Sequence, residues 1–506
     1  VIDLPPGFTP LTLGRMVRAA AARVPNKPAV ICQGGLRTYA QLVERMQRIA
    51  HLAAGGWGLQ PGDRVVLVAP SCLEYLELVL GLADAGVVVA TLNPKLTPSE
   101  LAAIIEDCTP RALLVHPECA ASLSGREPIA PILLDASFEA QVARAISARM
   151  VAPVPEWAAF AISYTSGTTG RPKGVMLPHR SRALTFLAMA AEYGCFGYDD
   201  HFLVVTPLFH GAGFVFAAAP LVFGGTVTIE PAFDPIAVLD RLASGEHTGV
   251  FLVPTLFHRL FALPEQALRS RPVRNLKAII SNAAALPQPT KEQAVDVFGP
   301  GLLHETYGST EAGIVTNIRP ADQLRKFNSV GTPFPLMEIE LRDDDGAPVA
   351  PGTIGELFCR GPYTFNGYLN RPEETADALR DGWVTVGDMA TADEEGFYHI
   401  VDRKKDMVIS GGVNIYPREI ENVIATVDGV REVAVVGLPD PEWGERLHAF
   451  IVPTAARPPS SDAIIAACRA HLAGHKIPRG ISVVDELPRN AGGKILKRDL
   501  RLRGAA

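Results

Sequence analysis

The stretch YTSGTTGRPKGVML, Tyr164 to Leu177, concentrates hydroxyls, glycines and one lysine directly after the apolar run FAISY. A strand feeding such a turn lets backbone N–H groups approach an anion closely, because residues without bulky side chains leave them uncovered. Ser163, Thr165, Ser166, Thr168 and Thr169 add hydroxyl donors, and Lys173 adds a cation set by Pro172. The alternative is an ordinary surface turn, but this density of donors points to phosphate. The spacing is not that of an NTPase P-loop. Counted from Gly167, the second required glycine falls on Pro172, and Lys173 is followed by Gly174 instead of Ser or Thr. The dinucleotide pattern GxGxxG is absent here as well.

Six further motifs follow in order: TPLFHGAGF (Thr206 to Phe214), ETYGSTEAG (Glu305 to Gly313), GYLNRPEETADAL (Gly367 to Leu379), DGWVTVGDMA (Asp381 to Ala390), DRKKDMVISGGVNIYPREIE (Asp402 to Glu421) and PRNAGGKILKRDL (Pro488 to Leu500). Together with the glycine-rich loop, this series resembles the adenylate-forming superfamily of acyl-CoA synthetases, firefly luciferase and peptide-synthetase adenylation domains. The resemblance covers nearly the whole chain. It implies ATP, Mg²⁺ and CoA as cosubstrates and cofactor, and a two-step activation of a carboxylic acid through acyl-AMP and pyrophosphate to a thioester.

The resemblance assigns roles residue by residue. Thr165, Ser166, Gly167, Thr168, Thr169, Gly170 and Lys173 are expected at the β- and γ-phosphates, with Thr165 and Glu311 at the metal. Tyr307 is expected to pack on adenine, beside Asn282, Ala283, Glu305, Thr306, Gly308, Ser309 and Thr310. Asp388 is the expected ribose ligand, with Arg403 as its companion. Lys494 is the expected catalytic lysine, countering charge that builds between carboxylate oxygen and α-phosphate. Lys405 matches a hinge position, and Ser410, Gly411, Gly412, Trp443, Lys476 and Arg479 are expected near CoA. Read singly, most of these would be solvated charges, turn glycines or core tyrosines. Val386, where threonine is common, and Asp402, where glycine is common, depart from the pattern.

The acyl region is expected around His210, a gating position, with Phe209, Gly213, Phe214, Phe216, Ala284, Ile314 and Val315. No aspartate lies between His210 and Glu230, so no carboxylate is placed to hold the amine of an amino acid. A medium- or long-chain fatty acid is the expected substrate, with an aromatic acid of benzoate or cinnamate type as the alternative. The compact hinge segment favours CoA over release of the acyl-AMP. A luciferase-like oxygenase shares the motifs, though the chain shown ends RGAA without a peroxisomal tripeptide. A non-catalytic nucleotide-binding regulator would be expected to have lost Lys494, Glu311 or the loop glycines.

These residues need elements to hold them. DRVVLVAP, GVVVATLN and RALLVH read as buried strands, and between the first two Leu73, Leu76, Leu80 and Ala83 fall at helical spacing. The rhythm continues through HFLVVTP, GTVTIE, TGVFLVP and LKAIIS. The expected fold is α/β: a large N-terminal domain of layered sheets over residues 1–404, with a β subdomain over about 328–404, then a small mobile α+β domain over 405–506. In the latter, Ile420, Val423, Ile424 and Val427 share a helical face, and SSDAIIAACRAHLAG begins with a capping serine.

Bulk properties set the outer limits. A chain of 506 residues exceeds one core, and a net charge of -7 argues against nucleic acid as a partner. Seven scattered cysteines indicate neither zinc nor a disulfide framework and suggest the cytoplasm. The run Gly213 to Gly225 is too short to span a bilayer, and the start lacks the basic and apolar regions of a secretory signal. The quaternary state is left between monomer and homodimer.

Overall fold

The computed structural model describes residues 7–148, 154–166, 172–454, 459–489 and 495–505. The chain forms two compact units, 1–339 with 359–384, and 340–358 with 385–506.

The first unit contains two sheets. One has six strands in the order Pro131–Leu133, Ala112–Val115, Arg64–Val68, Val88–Leu92, Ala159–Ser166, Pro172–Pro178. The run DRVVLVAP forms a strand with Val65 to Val68 fully buried, and it pairs in parallel with Val88–Leu92 through the helix Leu73–Asp84. An apolar run without alternation does this because both faces of a parallel strand are covered. The final strand is antiparallel to its neighbour, so Ala159–Ser166 and Pro172–Pro178 make a hairpin.

The other sheet has nine strands, and its middle is parallel: Leu303–Ser309, Ala278–Ser281, Gly249–Phe251, His201–Val204, Thr226–Ile229 and Pro28–Cys32. Gly313–Ile318 adds antiparallel to Leu303–Ser309, with a bulge opposite the Tyr307/Gly308 step that gives one extra residue to the Val315 side. Such bulges re-aim side chains locally. The apolar run from Gly213 is the helix Gly211–Phe223, which accommodates Pro220 and ends at Gly224 in the left-handed conformation (φ 92°). No described helix is long and apolar enough to cross a membrane. All seven cysteines are buried, and none forms a disulfide.

The second unit contains a sheet built on the long hairpin Val430–Asp440 and Gly444–Pro453, flanked by Val408–Ser410, Val413–Ile415 and Gly480–Val483. Ile420 and Ile424 of helix Pro417–Ile424 are fully buried in its core, and Val423 and Val427 pack beside them. Ser460 caps Ser461–His471 through the Ala463 N–H, as its sequence implies.

The unit boundary differs from the expected division at Lys405. Residues 340–358 and 385–404 belong with the C-terminal part. The reason is local: Asp402 at the end of strand Tyr398–Arg403 accepts the Arg418 N–H at the start of helix Pro417–Ile424, tying that ribbon to the C-terminal layer.

Candidate active site

The hairpin register places Thr165 opposite Lys173 and Tyr164 opposite Gly174, so the glycine-rich loop is carried on a two-stranded stem. Gly167, Thr168, Thr169 and Gly170 lie outside the described residues, and of Ser166 only the strand position is described. Tyr164 anchors the stem by donating its hydroxyl to Asp107 (3.0 Å), which also pairs with Arg371 (2.7 Å).

The segment 365–369 lies along the second hairpin strand. Leu369 N–H donates to the Gly174 carbonyl, Met176 N–H to Gly367, and Asn366 N–H to Met176. This pairing brings Tyr368 over the stem. Its ring lies 5.1 Å from the Lys173 ammonium, and its hydroxyl donates to Glu311 Oε1 at 2.8 Å. The Glu311 backbone is fixed in turn by the Phe365 N–H (2.8 Å). Lys173, Tyr368 and Glu311 thus form one row of cation, phenol and carboxylate. Tyr368 is absent from the sequence-derived site. Its signal was available, since it stands in the motif GYLNRPEET, but an isolated tyrosine in a turn announces no partner.

The strand Leu303–Ser309 emerges from the core along its length: residues 303–306 are buried, and Tyr307 to Thr310 are partly exposed. Glu305 is set apart from its expected role at the nucleotide. Its side chain is buried, forms an ion pair with the buried Lys291, and accepts the Leu286 N–H at 2.8 Å. Its carboxylate is therefore committed to the core. Thr306 receives the Asn282 amide (2.6 Å), which orients the Asn282 to Ala284 loop. Ala283 sits at φ 77°, and it and Ala284 are exposed. Ser309 accepts the Ala312 N–H (3.0 Å), shaping the turn that presents Thr310 and Glu311. Gly308 packs against the Gly313 carbonyl with no room for a Cβ.

His210 precedes the helix Gly211–Phe223, its ring 4.6 Å from Phe209. Burial holds its imidazole below the ordinary pKa, so the neutral ring prevails at pH 7. Phe214 packs at 6.0 Å on Phe160. Gly213 is required by close approach, because a Cβ would fall inside van der Waals contact of the Pro207 carbonyl. Ile314 and Val315 are buried at the bulge. Phe216 does not join this group. It is stacked between Phe251 (4.3 Å) and Phe202 (5.7 Å) in the core.

A separate cluster lies on the second unit. Asp388 and Arg403 face each other in register on adjacent strands, with Arg403 Nε 3.0 Å from Asp388 Oδ1. The unusual Asp402 has a structural task, since its two oxygens accept the Arg403 N–H (2.7 Å) and the Arg418 N–H (2.9 Å). Lys405 stands exposed in the turn Lys404–Asp406, and partial desolvation, then the neighbouring Arg403, lowers its pKa. Gly411 has φ 58° and donates its N–H to the Trp443 carbonyl (2.9 Å); a Cβ there would lie 2.7 Å from the Trp443 ring. Arg479 stacks on the other partner of this group, 4.5 Å from the Trp443 ring centre. Ser410 donates to the Glu445 carbonyl (2.6 Å), and Gly412 (φ 78°) has open space beside it. Lys476 is held by Glu419 at 2.6 and 2.9 Å, so contact with a phosphate would require that pair to open. Lys494 lies outside the described residues.

The first cluster fits a divalent ion of the hard type. Glu311 is 8% exposed and its carboxylate, like the Thr165 hydroxyl, is an oxygen donor of the kind that completes a phosphate-bridged Mg²⁺. Among the described residues no group of three or more His, Cys, Asp or Glu side chains that could hold a metal is found.

Comparison with known proteins identifies the family. The family described as AMP-binding enzyme matches residues 17–369, and the AMP-binding enzyme C-terminal domain matches residues 419–494. A feruloyl-CoA synthase from Amycolatopsis sp is 38% identical over 501 residues, covering 97% of this chain and 99% of that protein. A long-chain-fatty-acid–CoA ligase from Salmonella typhimurium is 34% identical over 550 residues, covering 99% and 96%. The crystal structure of ATP-bound MatB from Rhodopseudomonas palustris superposes with a TM-score of 0.90 at 32% identity, covering 98% and 99%. The chain is therefore a member of the AMP-binding, adenylate-forming enzyme family, and an AMP-forming acyl-CoA ligase.

Proposed function

We propose that this ligase activates a hydrophobic aromatic carboxylic acid in two steps. In the first, a substrate carboxylate oxygen attacks the α-phosphorus of ATP, the bond to the bridging oxygen breaks, and acyl-AMP and pyrophosphate form. In the second, the CoA thiol loses its proton and attacks the acyl carbon, releasing AMP. Two anions meet in the first step, so charge neutralisation and alignment dominate the barrier. The observation that carries the reading is the row Lys173, Tyr368, Glu311 at the base of the glycine-rich loop.

In this reading Lys173 and the loop hold the β- and γ-phosphates, and Glu311 with Thr165 would hold Mg²⁺. Bound there, the ion supplies charge neutralisation on the phosphates. Tyr307 stacks on adenine, Asp388 and Arg403 position the ribose, and Lys494 approaches the reacting oxygens. A turn of the C-terminal part about Lys405 exchanges Lys494 for the Ser410 to Asn414 segment, with Gly411, Gly412, Trp443 and Arg479 along the CoA path.

An aromatic acid is favoured by the alignments. The feruloyl-CoA synthase aligns over 501 positions, within the 506 residues of this chain, whereas the fatty-acid ligase needs 550 positions and hence many more gaps. The second reading is a medium- or long-chain fatty acid, supported by the apolar Phe209, Phe214, Ile314 and Val315. A panel of both acid classes with ATP, Mg²⁺ and CoA, read by mass detection of acyl-CoA, tests the reading. Product formed only from fatty acids reverses the order of the two, and ADP in place of AMP refutes both.

A further inference from the structure

Arg182, in the first turn of helix His179–Tyr193, is 5% exposed. Among the described residues it has no hydrogen-bond or ion-pair partner. Burial alone lowers its pKa, to about 10, with no carboxylate near enough to oppose that shift. It therefore remains a cation at neutral pH. The buried Lys291 of the same unit is, by contrast, paired with Glu305. A buried charge without a partner is costly, and folds keep one where a ligand or water completes it.

Its direction follows from the helix. Arg182, Met189 and Tyr193 stand at i, i+7 and i+11 and share one face. Tyr193 on that face lies 5.1 Å from His304 and 6.0 Å from Phe334, so the face looks toward strands Leu303–Ser309 and Gly313–Ile318. Beside it, His179 packs at 5.4 Å on Phe160, which packs on Phe214 in the first turn of the His210 helix. Arg182 is thus carried by a helix that packs both on strand Gly313–Ile318, which holds Ile314 and Val315, and on helix Gly211–Phe223, which holds Phe214.

We propose that Arg182 is a specificity-determining residue that donates hydrogen bonds to an oxygen on the tail of the substrate acid, remote from the carboxyl that is activated. The acids selected are those with a hydroxyl, ether or second carboxylate oxygen on an otherwise apolar tail. This rests on the reading above that Phe214, Ile314 and Val315 bound the acyl pocket.

The test compares the full-length wild type with Arg182→Met and Arg182→Lys. Each is assayed for AMP release with cinnamic acid, its 4-hydroxy-3-methoxy derivative and its 4-carboxy derivative, and each is melted without substrate. The wild type is expected to prefer an oxygenated acid over cinnamic acid roughly tenfold to hundredfold in kcat/KM, the worth of a hydrogen bond to a charged donor. Arg182→Met brings that ratio to about one, keeps the rate with cinnamic acid, and melts no lower than the wild type. Arg182→Lys retains part of the preference. The carboxylate and hydroxyl arms tell which oxygen is read. An unchanged ratio in Arg182→Met overturns the proposal, as does a lowered melting point with equal loss on every acid, which marks a structural arginine. If only fatty acids are converted, the aromatic reading fails while the ratio for acids with and without an ω-hydroxyl still decides the role of Arg182. If no acid is converted, both fall.

Discussion

Replacing Tyr368 with phenylalanine removes one oxygen and leaves the ring over Lys173 in place. The lost contact is a 2.8 Å hydrogen bond to a carboxylate that is 8% exposed. Hydrogen bonds to charged groups contribute about 1.5–3 kcal/mol, and the scarcity of water at Glu311 places this one in that range. At about 1.4 kcal/mol per tenfold, the adenylation step should slow by roughly 10- to 100-fold in kcat/KM for ATP. Pyrophosphate exchange in the presence of the acid reads this step alone. The loss should shrink as Mg²⁺ is raised, because a misaligned Glu311 weakens the hold on the ion–nucleotide complex. Tyr368→Leu should cost more, since it also removes the contact with Lys173 and the edge-on packing against Phe365 at 5.0 Å. Exchange rates for Tyr368→Phe within twofold of wild type at every Mg²⁺ concentration would show that the row of three residues is incidental.

Gly213→Ala drives a methyl group into the Pro207 carbonyl, so the His210 helix must shift; a loss of about 2–3 kcal/mol is expected from chemical denaturation, together with altered acid preference. Asp402→Ala strands the N–H groups of Arg403 and Arg418, and the C-terminal part should lose about 1–3 kcal/mol, read by hydrogen exchange at those amides. Lys494→Ala should abolish acyl-AMP formation yet largely keep thioester formation from supplied acyl-AMP; equal loss of both contradicts the hinge mechanism. His179, buried with Nδ1 accepting the Leu13 N–H, has its pKa lowered to about 4 by burial. Its folded value lies below its unfolded one, so its contribution is complete above about pH 6.5 and is lost as pH falls toward 4, by up to about 1.4 kcal/mol per pH unit. Melting between pH 6.5 and 5 should show this decline, and His179→Gln should flatten it.

Much of this protein is legible from residue order. The apolar runs at Val65 and Val88 can only be buried strands, and the series of motifs from Tyr164 to Lys494 marks an adenylate-forming enzyme before any coordinate is drawn. Asp388 and Arg403, fifteen positions apart in a strand-turn-strand segment, stand close enough in sequence for a hairpin to pair them. These features depend on local pattern and on recurrence of whole motifs, both of which sequence records directly.

Other facts depend on which distant segments share space. Glu305 stands in the nucleotide motif yet is spent on Lys291, and Phe216, two residues past the His210 motif, is stacked on Phe202 and Phe251. Strand alternation and core packing made those assignments, and neither is visible in a motif. Tyr368 reaches Glu311 and Lys173 only because residues 365–369 pair with the hairpin strand that follows the glycine-rich loop. Arg182 reads in sequence as one more basic residue after a histidine. Burial without a counter-charge is a property of three-dimensional packing, and only the tertiary structure distinguishes that arginine from a solvated one.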